Sequence, residues 1–190
     1  MHALTLVAAL VLTWTIAPFA PAIQSAGAPE AFTANALISG ATAPITIEVQ
    51  RYTPDFDRTT VETALKHGGY PAFVAALRKA PVVGTVSAAD QRWSVRWARE
   101  RPHDTGRTIV LVVDQPIFFV GGGRANAKPR EGYEVAVIEL RVDDTGRGDG
   151  SMAAAARVKP GGETGVRIDD YAEKPIQLVS VTRALREGKW

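Results

Sequence analysis

The chain has 190 residues, 46% hydrophobic and 22% charged, with a formal charge of +2. This is the composition of one globular domain; it excludes a long disordered tract, and a balance so near neutral supplies no strong field for nucleic acid. The absence of cysteine excludes a disulfide framework and a thiolate metal site, so stability has to come from packing.

The first residues differ in kind from the rest. From Ala3 to Ile16 the run "ALTLVAALVLTWTI" carries no charge, and no Lys or Arg occurs before Arg51. A membrane-spanning helix needs roughly 20 apolar residues, and this shorter run leads into the small-residue and proline-rich "APFAPAIQSAGAPE". The pattern predicts a secretory signal peptide over 1–22, with Ala20-Pro21-Ala22 as its A-x-A site and export to the periplasm or medium. A single domain over 23–190, with no membrane span after processing, is the expected product. An uncleaved N-terminal anchor is the competing reading, because basic residues are missing from the extreme N-terminus.

Next, "AFTANALISG" and "APITIEVQRY" are short alternating or β-branched runs separated by Gly40 and Pro44, and they predict two strands. The period then changes. Val61, Ala64 and Leu65 share one helical face, Phe73, Ala76 and Leu77 another, and Gly68-Gly69 stands between them. With Thr53 as N-cap before Pro54, and Pro81 beyond the end, a helix-break-helix insert is expected over about 54–80.

From Val82 onward the signals are β again. In "RWSVRWARE" strict alternation would set Trp93, Val95 and Trp97 on one face and Arg92, Ser94 and Arg96 on the other, where the arginines would meet solvent or a carboxylate such as Glu139. "TIVLVVD" is apolar on both faces, as a strand covered on both sides would be. "YEVAVIELRVDDTGRGDGSMAAAARV" predicts a hairpin with Ala136, Ile138, Leu140 and Val142 on one face, and "GVRIDDY" and "PIQLVSVTRAL" complete the set. The expected fold is mainly β (α+β): an antiparallel β-sandwich or barrel of about eight or nine strands with the helical insert after the second. Periodicity does not choose between sandwich and barrel.

The glycine-rich "FFVGGGRANAKPREGY" invites a phosphate-loop reading and fails it. Ala127 replaces the second glycine of the P-loop pattern, Pro129 replaces its hydroxyl residue, and the segment leads into strand-like rather than helical sequence. It is read as a connection between strands, from which Arg124, Asn126, Lys128 and Arg130 could contact an anion or a partner. In "DDTGRGDG" the Arg147-Gly148-Asp149 tripeptide and the carboxylates Asp143, Asp144 and Asp149 are read as turn chemistry, since the spacing is not that of a calcium loop. Neither a nucleophile elbow nor an H-E-x-x-H pair occurs, so no catalytic residue, metal or cofactor is expected.

The order of "APITIEVQRYTPDFDRTTVETALKHGG", "FVAALRKAPVVGTV", "TIVLVVDQPI" and "YEVAVIELRVDDTGRGDG" resembles a group of uncharacterised exported bacterial β-rich proteins over about residues 31–185. The resemblance implies one intact exported domain, has no established activity to transfer and assigns no catalytic residue.

The functional expectation is a non-enzymatic binding module for a small molecule or a cell-envelope partner, and not for nucleic acid. Trp93, Val95 and Trp97 would line its ligand pocket if the sheet closes, although one aromatic strand face is ordinarily core. Two alternatives stand beside it: a hydrolase or isomerase assembled in space from residues such as His103, Asp104, Asp114 and Asp170, and a structural envelope component.

Overall fold

The structure, a computed structural model, describes residues 29–38, 41–118, 130–162 and 164–184. The expected signal peptide and the loop residues Arg124, Asn126 and Lys128 lie outside the described residues. Alternating burial organises the first hairpin, β1 (Glu30–Ile38) and β2 (Ala41–Val49): Phe32, Ala34 and Ala36 turn inward opposite Ile47, Ile45 and Ala43. The helix α1 (Asp55–Lys79) follows, then β3 (Gly84–Ala88), β4 (Gln91–His103), β5 (Gly106–Val113) and β6 (Val135–Val142). The chain ends with β7 (Arg147–Pro160), β8 (Val166–Tyr171) and β9 (Ile176–Ala184).

Pairing decides between sandwich and barrel. Strands β1 to β6 each pair antiparallel with the next along the sheet, α1 interrupting only the chain between β2 and β3. β6 then pairs with β7, β7 with β9, and β9 returns to β1. Eight antiparallel strands therefore close into a barrel, while β8 hangs outside on β7. Closure removes the exposed edges that an open sheet would leave, and an eight-stranded barrel is just wide enough for its own side chains to fill.

Two apolar cores follow from this geometry. Phe32, Ile47, Val95, Leu111, Ile138 and Met152 belong to the barrel interior. The second core joins the outer wall to α1 through Val61, Leu65, Phe73, Leu77, Trp97 and Val112. The double-faced apolar run of β5 is thereby explained: Ile109, Leu111 and Val113 fill the barrel, and Val110 and Val112 lie under the helix. Each large side chain so buried contributes roughly 1.5–3 kcal/mol.

Three local expectations need correction. The insert is one helical element, not helix, break, helix: the Gly-Gly pair leaves one non-helical residue, Gly69 at φ 71° and ψ −168°, and α1 kinks there without a loop. Its N-cap position is Pro54, with no side-chain cap; Thr53 is drawn away to β4, its Oγ1 accepting from Ala98 N–H at 2.8 Å and its own N–H donating to Ala98 O at 2.9 Å. Finally, Trp93, Val95 and Trp97 do not share a face. Val95 pairs with Val113 but Trp97 with Val112, so Arg96 is the extra residue of a β-bulge. Trp93 and Val95 stay inside the barrel, Trp97 emerges under α1, and Ala98 returns to the interior.

One mouth of the barrel is closed by an ionic knot. Glu30 and Arg107 continue the inward rows of β1 and β5, and Arg107 Nη1 donates to Glu30 Oε1 at 2.9 Å and Glu100 Oε2 at 2.6 Å, while its Nη2 binds Glu30 Oε2. The Glu30 hydrogen bond holds the guanidinium still further above its ordinary range. Burial pushes the neighbouring Tyr52 phenol upward, with the Glu30 and Glu100 charges acting the same way. Among the described residues, no helix is long and apolar enough to cross a membrane.

Candidate functional site

Gly69 sets the shape of the candidate site. Its backbone conformation is one that essentially only glycine adopts, and a Cβ there would meet nothing within 4 Å, so the requirement is conformational rather than steric. The kink brings the two arms of α1 face to face: Phe56, Asp57 and Thr60 from the first arm and Ala72, Ala75 and Lys79 from the second line one cleft of about 440 Å³. A straight helix would hold Phe56 and Lys79 roughly 35 Å apart, at 1.5 Å per residue.

The second arm is anchored to the barrel at both ends. Tyr70, just past the kink, donates its hydroxyl to Ala156 O at 3.0 Å and accepts Glu134 N–H at 2.8 Å; burial pushes its pKa upward. At the other end of the second arm, the bulge residue Arg96 donates from Nη1 to Ala80 O at 2.8 Å, satisfying a carbonyl at the helix end. Its Nε is held by Asp114 Oδ2 at 2.8 Å, not by Glu139, which pairs with Arg141. The bulge therefore buries Trp97 beneath the helix and presents Arg96 to the helix C-terminus in a single local change.

The cleft floor is small and apolar, and its lip is a projecting aromatic ring. Phe56 is 82% exposed, whereas Leu37, Val82 and Tyr171, the other exposed large apolar residues described, are each less than half exposed. Asp57 and Lys79 stand on opposite arms, and neither forms an ion pair with another described residue.

The residues singled out in the sequence are dispersed. Trp93 and Val95 fill the barrel, while Trp97 packs under α1 with its Nε1 buried and without a hydrogen-bond partner among the described residues. Arg130, the described member of the basic loop set, stacks its guanidinium 4.9 Å from the Tyr133 ring centroid. His103 and Asp104 lie at the β4–β5 turn, whereas Asp114 follows the far end of β5. Asp170 on β8 accepts the Tyr133 hydroxyl at 2.5 Å, which holds its carboxyl below the usual range and raises the phenol. These four potential acid and base groups are therefore not brought together.

Arg147-Gly148-Asp149 lies within β7, not at the tip of the turn, and Asp143 Oδ1 organises that turn by accepting from Thr145 and Arg147. Among the described residues, no group of three His, Asp or Glu side chains could hold a metal ion.

No protein-family model, curated protein or solved structure matches this chain. The cleft residues were present in the sequence without standing out. Phe56 sits about half a turn away from Leu65 on the helical wheel, off the buried face, and that apolar residue on the polar side was the available signal.

Proposed function

We propose that this chain is an exported, non-enzymatic binding module whose working surface is the cleft between the arms of α1. The cleft takes an apolar group from a small molecule or a cell-envelope partner. The observation that carries this reading is Phe56, 82% exposed at the lip of a 440 Å³ cleft with an alanine-rich floor. Ligand sites commonly enclose about 300–1,000 Å³, with mainly apolar walls and a few polar groups for orientation; Asp57, Thr60 and Lys79 are such groups here. An exposed aromatic ring beside apolar surface favours a binding role, because burial on contact recovers hydrophobic free energy. Export is supported by the uncharged apolar run from Ala3 to Ile16.

The test is anilinonaphthalene sulfonate fluorescence together with a thermal-shift screen of apolar compounds, comparing the wild-type chain with Ala75→Trp. Ala75 is exposed, so the indole fills the cleft without entering either core. Probe binding is expected in the wild type and lost in the variant. Equal binding by both would place the probe elsewhere and refute the cleft as the working surface.

A further inference from the structure

The cleft is complementary to itself, and from this we infer that the partner it fits is a second copy of the same chain. The inference rests on the reading of the cleft as the working surface, and it specifies the occupant. Phe56 projects from the first arm and Ala72, Ala75 and Ala76 form a small-residue hollow on the second, so each molecule carries both a knob and a hole. The 82% exposure of Phe56 means that a molecule does not fill its own hollow with its own ring.

A two-fold axis running along the cleft sets the first arm of one copy over the second arm of the other. Each Phe56 then covers the partner's alanines, and four helical arms stack in the manner of a small bundle. Charge follows the same symmetry. Asp57 opens the first arm and Lys79 closes the second, so both stand at the open end of the cleft. The two-fold brings Asp57 of each copy to the partner's Lys79, giving partners to two charges that have none among the described residues of one chain. Such an interface is isologous and closes at two copies. One ring and one ion pair per copy make it small, so the expected dissociation constant is on the order of 0.1 mM.

Sedimentation velocity on the full chain, from about 5 µM to 1 mM, reads the association directly. The wild type is expected to shift from monomer to dimer, and Phe56→Ser to stay monomeric. Asp57→Lys and Lys79→Asp should each associate at least about tenfold more weakly, because each places like charges across the two-fold. An equimolar mixture of those two variants should recover wild-type association, since every mixed pair regains opposite charges. Loss of folding in a single variant would not be repaired by mixing, so recovery separates pairing from stability.

A wild type that stays monomeric throughout, or a mixture no tighter than its components, overturns the inference. If the monomer still binds the fluorescent probe and Ala75→Trp abolishes that binding, the cleft stands as a binding site and only self-pairing is lost. If the probe also ignores Ala75→Trp, both readings fall.

Discussion

Arg107→Ala tests whether the ionic knot fastens the first strand across the barrel mouth. The Arg107 side chain is 20% exposed and that of Glu30 only 13%, so the variant leaves Glu30 largely buried beside Glu100 without the cation between them. Breaking one side of a buried pair costs about 3–5 kcal/mol. Two features lower that figure here: Glu100 is 36% exposed, and Arg183 stands 3.8 Å from Glu30 as a remaining cation. A loss of about 2–3 kcal/mol is the working value. In a domain of this size each kcal/mol moves Tm by about 2–4 °C, so the melting temperature should fall by about 4–12 °C. Thermal melts by circular dichroism, with urea titration to check that the slope is unchanged, measure both quantities. A double-mutant cycle with Glu30→Gln isolates the coupling of the pair. A loss under about 0.5 kcal/mol would place these contacts with ordinary surface ion pairs and refute the fastening role.

Gly69→Ala should destabilise the fold by about 1–3 kcal/mol through backbone strain alone, since no atom lies where its Cβ would go. Denaturant unfolding measures it, and a neutral result would mean that the kink tolerates ordinary residues. Tyr133→Phe removes the hydroxyl that holds the Asp170 pKa down, so the Asp170 midpoint followed by carboxyl NMR should rise toward the ordinary carboxylate range. The sign for stability follows. A depressed native pKa contributes stability that is present above the unfolded value and lost as pH falls through the native one, and the variant should show a smaller acid-side dependence. An unmoved midpoint would assign the depression to Arg157 or the Tyr171 amide instead.

Local pattern carried a large part of the architecture. Period-two burial along β1 and β2 depends only on the alternation of side chains, and the apolar doubling of β5 and of the first half of β6 only on their being covered from both sides. The β6–β7 hairpin was legible because Asp143, Thr145 and Gly146 make their turn with near neighbours. Trp97 shows where this kind of reading ends. Strict alternation sets it beside Trp93, but the bulge at Arg96 reverses the parity, and the partners that favour the bulge, Ala80 and Asp114, are 16 and 18 residues away in sequence. Thr53 failed as a cap for the same reason, since Ala98 competes for its hydroxyl across 45 residues.

The candidate site was the least legible feature. Phe56, Asp57, Ala75 and Lys79 form no motif, and they meet only because Gly69 turns one helical arm back against the other. The sequence by itself determined which stretches are strands and helix and which side chains are apolar, because those properties arise from contacts a few residues apart. Only the tertiary structure decided barrel over sandwich, the side of the wall on which Trp97 lies, and the existence of the cleft. Each of those depends on pairing between distant segments, and no local period encodes which distant partner competes best.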